Sequence, residues 1–304
     1  MQASVIQKED KLKAFLLDFI SGGTAGSIAK TVSAPAERVK LLLQTQDNNS
    51  KLKQPYTGVF NCFSRVFKEE GLLAFWRGNW ANVVRYFPTQ AMNFAFKDFF
   101  RHTFNPYDHK KEPLKFFFGN ILSGGMAGST ACLFLYPLDF LRTRLGVDLG
   151  RSKLDREFTG MADCAVKIVK SDGIVGLYRG MNMAIFGIFM YRGLYFGFYD
   201  TGKPIFLGDR KDLGIMTKFI YAQSCVLCAE LFSYPTDTVK RKLMLQAGKD
   251  QVQYAGVIDC FRKTYQTGGF FSFWKGYSSN VFRSLGSSLC LLLYDELKIQ
   301  QKFL

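Results

Sequence analysis

Histidine and proline are scarce in this sequence, and acidic residues are outnumbered by basic ones. Two His among 304 residues argue against a histidine-based metal centre or acid–base pair, and eight Pro argue against disorder. Charged residues fall to 21% while apolar types reach 48%, so the chain is apolar enough to bury a core. Lys and Arg number 40 against 25 Asp and Glu, and the net charge of +15 implies an anionic partner: nucleic acid, lipid headgroups or a small polyanion.

The cysteines do not form a disulfide framework. Seven is an odd number, and they are scattered through a chain too long to need covalent staples. Cys225 and Cys228 form one CxxC among apolar residues, but no second pair follows, so neither a metal site nor a redox role is favoured. The N-terminus has no apolar core and no Arg-rich amphipathic stretch, so we expect no cleaved signal or transit peptide.

Long uncharged runs indicate a membrane protein. Residues 116–138 carry no charge, and as a helix they would span roughly 35 Å, against about 30 Å for a bilayer core. Uncharged runs of about half that length recur, each bounded by a single charge, at 19–29, 86–96, 180–191, 219–229 and 284–294. Because charge in lipid is costly, ionisable residues inside such spans are expected to face a wet cavity.

Three motifs recur in the same order three times. Pro-x-acid-x-x-base occurs at 35–40, 137–142 and 235–240, with the prolines 102 and 98 residues apart. Aromatic-x-Gly follows at 56–58, 158–160 and 254–256, and aromatic-base-Gly at 76–78, 178–180 and 274–276. The sequence therefore predicts three tandem repeats, 1–108, 109–208 and 209–304, in one membrane domain. Each repeat should contain an apolar helix kinked by its proline, a short amphipathic helix and a second apolar helix, and the Gly-rich runs before Pro35 and Pro137 are interpreted as close helix packing.

These motifs resemble those of the mitochondrial carrier family over nearly the whole chain. The resemblance implies an all-α membrane protein with six transmembrane helices in three repeats of threefold pseudosymmetry, three short amphipathic surface helices, and no cofactor. It also implies a multi-pass protein, working as a monomer, of the inner membrane of mitochondria or of a mitochondrion-derived organelle.

Three stretches, 34–44, 75–98 and 191–200, closely resemble the members of that family that exchange ADP for ATP, which implies antiport without covalent chemistry. The RRRMMM signature of those members appears here as Lys240-Arg-Lys-Leu-Met-Leu245, which keeps the charges and the apolar character and indicates a divergent member. A carrier of another nucleotide or of a phosphorylated coenzyme is the alternative, because Lys30, Arg85 and Arg283 would suit it too. A basic nucleic-acid-binding protein would explain the charge, but not charges in mid-span or the lack of a basic tail.

Residues shared by all three repeats predict two gates. Each acid of the proline motif lies three residues before a base, and with threefold closure the family pattern implies the pairs Glu37–Arg142, Asp139–Lys240 and Asp237–Lys40, which close a matrix gate. A second ring of acids and bases three apart, near the ends of the even helices, predicts a cytoplasmic gate: Asp98, Arg101, Asp200, Lys203, Asp295 and Lys298.

Residues that differ between repeats predict the substrate site. Seven residues past each aromatic-base-Gly lie Arg85, Gly187 and Arg283, and five before each proline lie Lys30, Cys132 and Glu230. Three bases in mid-span suit a polyanion, since Arg binds phosphate with its bidentate fork and Lys adds a point charge. Gly187 leaves a gap in which adenine could lie against Ile188 and Tyr191, and the resemblance adds Lys97, Ser233, Lys240 and Arg241.

Glu230 is an unusual acid in an apolar run. Beside one of the three bases it would be ionised and would compete with phosphate, whereas alone it would be a neutral acid bonded to a helix backbone; we favour the ionised form.

The turns at the helix starts are candidates for binding cardiolipin, which the family resemblance implies, because exposed amide groups there suit phosphate. The glycines concerned are Gly58, Gly78, Gly160, Gly180, Gly256 and Gly276. Repeat three departs from the others: the acid of Glu70-Gly71 and Asp172-Gly173 becomes Gly268, so a weaker cap is expected there.

Overall fold

The computed structural model describes most of the chain. It covers residues 2–49, 51–52, 54–104, 106–107, 111–152, 154–203, 206, 215–249, 252–286 and 288, and within these it leaves undescribed the side chains of residues 2–22, 25, 93, 94, 97, 98, 200, 201 and 215.

Five long helices and the beginning of a sixth form the body of the described chain. The long helices are α1 Gln2–Thr45, α3 Asn79–Phe104, α4 Pro113–Val147, α6 Met181–Gly202, α7 Ile215–Leu245 and α9, described over 277–286. The short helices α2 Val59–Glu70, α5 Met161–Gly176 and α8 Val257–Gly268 lie between the long helices of each repeat. The described ranges contain no strand, so the predicted all-helical fold of repeated helix pairs is confirmed there.

By length and composition, α4 is the one described helix that could cross a membrane by itself. The pair Met161–Gly176 and Met181–Tyr199 passes the same test together, with a bend of 68° between its parts. Apolar content thus supports one or two spans rather than the six expected. The other long helices carry ionisable side chains inside their apolar stretches, such as Lys30 on α1 and Arg85 on α3, and these lower the mean hydropathy.

The long helices contact one another in the order α1, α3, α4, α6, α7, and glycines allow the close approach of α1 to α3 and of α4 to α6. A Cβ on Gly26 of α1 would lie 2.1 Å from the ring of Tyr86 on α3, and one on Gly125 of α4 would lie 2.2 Å from Phe189 on α6. These contacts confirm that the Gly-rich runs serve helix packing, because an aromatic ring of the following helix fills the space of the missing side chain.

The proline-bearing helices α1, α4 and α7, one from each repeat, also contact one another, at the end where their prolines lie. The ring closes where α9 meets α1: the Ser279 hydroxyl donates to the carbonyl oxygen of Ala36 at 2.7 Å. The first and third repeats are therefore neighbours, as threefold closure requires.

Each motif proline lies inside its helix and leaves one carbonyl without its usual partner, because proline has no N–H to donate to the residue four positions earlier. In repeats one and three a tryptophan of the aromatic-base-Gly motif supplies the missing donor. The indole of Trp76 donates to the Thr31 carbonyl at 2.8 Å, and that of Trp274 donates to the Leu231 carbonyl at 2.9 Å. The motif thus fastens the second helix of a repeat to the proline site of the first.

The aromatic-x-Gly motif is explained by a buried ring and a repeated hydrogen bond. Eleven residues past each proline, a side-chain oxygen accepts the aromatic residue's backbone N–H: Gln46 from Tyr56 at 2.7 Å, Asp148 from Phe158 at 3.0 Å, and Gln246 from Tyr254 at 3.0 Å. The three rings are buried, and so are the cysteines in the same register, Cys62, Cys164 and Cys260. Burial raises the pKa of the thiols of Cys62 and Cys164 to about 12, which keeps them protonated at neutral pH.

The acid before the glycine forms an ion pair within its own repeat, with one exception. Glu70 contacts Arg77, and Asp172 contacts Arg179 at 2.8 Å. In repeat three, where Gly268 replaces the acid, Lys275 instead contacts Asp47 of repeat one at 2.9 Å. The backbone N–H of Gly269 still caps α8 by donating to the Tyr265 carbonyl at 2.8 Å, so the departure moves the ion pair across the repeat boundary and leaves the cap in place.

Replacing Trp76 with Phe should destabilise the protein, because the Thr31 carbonyl loses the donor that stands in for the proline N–H. We expect a loss of about 1–3 kcal/mol in the free energy of unfolding. Thermal unfolding of the purified protein in lipid nanodiscs measures it. Tyr178→Phe is the matched control, since it keeps the ring that stacks on Tyr136. Equal unfolding temperatures for Trp76→Phe and the wild type would contradict this role.

Candidate functional site

A cavity of about 460 Å³ lies on the axis of the ring and is lined by all three repeats. Seven basic and four acidic side chains face it, a formal excess of three positive charges. Of the ten predicted substrate-binding residues, nine lie in its wall: Lys30, Arg85, Gly187, Ile188, Tyr191, Ser233, Lys240, Arg241 and Arg283. The tenth, Lys97, has a side chain outside the described residues.

Three ion pairs close the cavity at the end where the prolines lie. Lys240 Nζ is 2.6 Å from Asp139 Oδ2, Lys40 Nζ is 2.9 Å from Asp237 Oδ2, and Arg142 is paired with Glu37. Each pair joins the acid of one repeat to the base of the next, so α1 is tied to α4, α4 to α7, and α7 to α1. The three pairings that the family pattern implies are present, and their action as a matrix gate stays a prediction.

Further donors hold the carboxylates of this ring in place. The same oxygen of Asp237 accepts from Arg241 Nε at 3.1 Å and from Gln44 Nε2 at 3.3 Å, and Glu37 accepts from Asn82 Nδ2 at 3.3 Å. The side chains of the three pairs are between 10% and 26% exposed. Breaking one of these pairs should therefore cost more than the roughly 0.2–1 kcal/mol of a surface pair and less than the roughly 3–5 kcal/mol of a fully buried pair.

Two of the three bases also lie over tyrosine rings. Lys40 Nζ is 5.0 Å from the ring centre of Tyr234, and Lys240 Nζ is 5.5 Å from that of Tyr136, within range of a cation–π attraction. Repeat one has Ala34 at the position of these tyrosines, so the cation–π contacts are present in two of the three repeats.

The backbone of each base is positioned by the glycine of an aromatic-base-Gly turn. Gly78, Gly180 and Gly276 have φ of 77°, 85° and 85°, which strongly favours glycine. A Cβ on Gly78 would lie 2.8 Å from the Arg142 carbonyl oxygen, and one on Gly180 would lie 2.8 Å from that of Lys240. The turn of one repeat thus rests on the base of the next, and a side chain at either glycine would displace it.

The two mid-cavity arginines differ in their surroundings. Arg85 has an Nε with no hydrogen-bond partner among the described residues, and its nearest carboxylate, Asp139, is 4.0 Å away. Arg283 is held by Glu230, whose Oε1 is 3.0 Å from Nη2, and by Asn280, whose Oδ1 accepts from Nε at 3.1 Å. Glu230 therefore contacts one of the three bases, as the ionised form requires.

The predicted cytoplasmic gate falls largely on side chains that the structure does not describe. Those of Asp98, Asp200, Asp295 and Lys298 lie outside the described residues, while Arg101 and Lys203 are exposed. The pairing of this second ring stays a prediction.

Sequence reasoning missed the neutral side chains of the site. Asn82 and Asn280 both lie four residues past the glycine of the aromatic-base-Gly motif, so the repeat register carried a signal for them. Gln44 had no such signal, because Gly146 and Met244 stand at its equivalent positions.

Comparison with known proteins covers nearly the whole chain. The model of the mitochondrial carrier protein family matches residues 11–108, 114–210 and 211–302. An ADP,ATP carrier protein of Parachlorella kessleri is 51% identical over 289 residues, which is 94% of this chain and 85% of the relative. ADP/ATP translocase 2 of Rattus norvegicus is 49% identical over 294 residues, covering 95% and 98% of the two chains. A mitochondrial substrate carrier family protein, ancA, of Dictyostelium discoideum is 47% identical over 295 residues, covering 96% and 95%.

Exchanging the charges of Asp139 and Lys240 tests whether this pair stabilises the ring. Asp139→Lys or Lys240→Asp alone places like charges together and should lower the unfolding temperature, and the double exchange should recover part of the loss. Recovery is partial because Lys240 also lies over Tyr136. The coupling energy comes from a double-mutant cycle in lipid nanodiscs.

The exposed pair Asp163–Lys167 of α5, 2.9 Å apart, is the matched control, and its coupling should be no more than about 0.5 kcal/mol. A coupling for Asp139–Lys240 as small as that of the control would show that the pair contributes nothing to closure.

Proposed function

The chain belongs to the mitochondrial carrier family, and from this membership and the charge of its cavity we propose that it exchanges ADP for ATP across the inner mitochondrial membrane. Relatives of about 50% identity over nearly the full length bear the names of ADP/ATP carriers. The proteins of this family are transporters, and the proposal includes no covalent step.

The observation that carries the proposal is a basic cavity between the repeats with an arginine ready to bind. The excess of positive charge attracts polyanions, and the low-dielectric wall strengthens that attraction. The Arg85 side chain is 27% exposed and its nearest carboxylate is 4.0 Å away, so its guanidinium can bind a phosphate without first losing a short ion pair.

The substrate would lie with its phosphates on the bases and its adenine on the wall of repeat two. Lys30, Arg85 and Arg283 would bind phosphate, together with Lys97, Lys240 and Arg241. At Gly187 the cavity wall has no side chain, and Ile188 and Tyr191 beside it offer apolar and aromatic surface for a base. Ser233 adds a hydroxyl to the same lining.

Alternating access would follow from opening one ring of ion pairs while the other is closed. The ion pairs of Glu37, Lys40, Asp139, Arg142, Asp237 and Lys240 are formed, so the matrix gate would be the closed one here. Release on that side requires the three pairs to part, and the ring of Asp98, Arg101, Asp200, Lys203, Asp295 and Lys298 would close in exchange. The six long helices would then span the membrane with the cavity at its midplane.

Cardiolipin would bind where two repeats meet at the membrane surface. A second cavity, of about 240 Å³, is lined by Gly78 and Arg77 of repeat one and by Gly160 and Thr159 of repeat two. The turns at the starts of α3 and α5 thus share one cavity, with a base beside their amide groups, which suits a lipid phosphate. Gly58 with Gly276, and Gly180 with Gly256, would form the equivalent sites.

Counterflow in proteoliposomes tests the function. Liposomes loaded with unlabelled ADP or ATP should take up labelled ADP and ATP, with uptake dependent on the internal nucleotide. Other nucleotides and phosphorylated coenzymes, added as competitors, separate ADP/ATP exchange from the alternative substrates. Uptake without internal nucleotide, or stronger competition by another nucleotide, would overturn the proposal.

Arg85→Ala or Arg283→Ala should reduce exchange by about ten- to a hundredfold, because each removes a charge-assisted phosphate contact worth about 1.5–3 kcal/mol. Initial rates are measured at equal amounts of folded protein, verified by thermal unfolding. Arg262→Ala removes an exposed arginine of α8 and should exchange at the wild-type rate. Wild-type exchange by either cavity variant would refute this placement of the substrate.

A further inference from the structure

Glu230, Asn280 and Arg283 form a closed triangle of side chains in the cavity wall. Glu230 Oε1 accepts from Arg283 Nη2 at 3.0 Å, and Oε2 accepts from Asn280 Nδ2 at 2.9 Å. Asn280 Oδ1 in turn accepts from Arg283 Nε at 3.1 Å. Every member contacts the other two, so the carboxylate is fixed on the arginine and not on a helix backbone.

The triangle gives the three walls of the cavity different charges. At the two equivalent layers, repeat one carries Lys30 and Arg85, repeat two carries Cys132 and Gly187, and repeat three carries Glu230 and Arg283. The first wall therefore has two positive charges, and the second and third have none in sum. The charge of the cavity therefore attracts a polyanion toward repeat one. On repeat three, Arg283 is already bonded to the carboxylate of Glu230.

A phosphate that binds Arg283 must displace Glu230 or share the arginine with it. Glu230 and Arg283 are 17% and 18% exposed in their side chains, so the carboxylate stays within the cavity in either case. Its repulsion of the ligand then grows with the ligand's charge, and each further phosphate of a nucleotide adds about one negative charge.

We propose that Glu230 is a specificity-determining residue that weakens the binding of nucleotides in proportion to their phosphate charge, and so restrains ATP more than ADP and ADP more than AMP. The inference rests on the proposed nucleotide exchange and deepens it. Removing this one negative charge would raise the formal excess of the cavity from three to four.

The experiment uses Glu230→Gln in the full chain, reconstituted in liposomes. Glutamine keeps the shape and one oxygen acceptor, which can serve Arg283 or Asn280, and it removes the charge. Inhibition of labelled ADP uptake is measured against unlabelled AMP, ADP and ATP without divalent cations. Apparent affinity should rise for all three, and ATP should gain about two- to fivefold more than ADP for the one extra charge.

Two further variants separate charge in the cavity from charge elsewhere and from contact geometry. Glu69→Gln removes an exposed acid of α2 and should leave the order and spacing of the three affinities unchanged. Glu230→Asp keeps the charge on a shorter side chain and should keep the wild-type ATP-to-ADP ratio. Nucleotide-induced thermal stabilisation of the same variants gives the affinity order even where exchange is slow.

The outcomes bear separately on the two proposals. If Glu230→Gln tightens AMP, ADP and ATP equally, or leaves their affinities unchanged while the wild type exchanges nucleotides, the role of Glu230 is overturned and the exchange function stands. If Glu230→Asp shifts the ATP-to-ADP ratio as much as Glu230→Gln, geometry rather than charge sets the preference, which also overturns it. If the wild type exchanges no nucleotide, the proposed function fails first.

Discussion

The ion pairs between repeats are the constraint on which the rest of the molecule depends. Each acid of the proline motif pairs with the base on the proline-bearing helix of a neighbouring repeat. A repeat is thus electrostatically incomplete by itself, and only the closed ring of three satisfies all six charges. The glycine turns follow from the same constraint, since they must lie against the carbonyls of those bases without a side chain between.

The sequence predicted these pairs because threefold register is a strong rule. Once three copies of one motif are recognised, the only ring in which every acid meets a base of a neighbour is the observed one or its mirror, and the family pattern selects between them. The neutral partner Gln44 was out of reach for a different reason. Which polar side chain reaches a carboxylate depends on the rotation of each helix about its axis, and the sequence does not fix that angle.

The number of membrane spans predicted from the repeats differs from the number that the apolar content of the helices supports. The repeats argue for six spans, whereas hydropathy identifies one or two among the described helices. The difference has a physical origin: α1, α3 and α7 carry charged residues on the side that faces the cavity, such as Lys30, Arg85 and Glu230. The charged residues that line the site also lower the mean hydropathy of the helices that carry them.

The contact of Asp47 with Lys275 has a consequence for biogenesis. These residues are 228 positions apart, and Lys40 and Asp237 are 197 apart, so the seam between the first and third repeats joins segments that are distant in the sequence. Until the third repeat is inserted, Lys40 and Asp47 lack the partners they have in the finished ring. Because Lys275 is tied to repeat one rather than to an acid of its own repeat, the third repeat lacks this ion pair until it packs against the first. The seam therefore forms late in assembly, since it needs two segments that are far apart in the chain to be in place together.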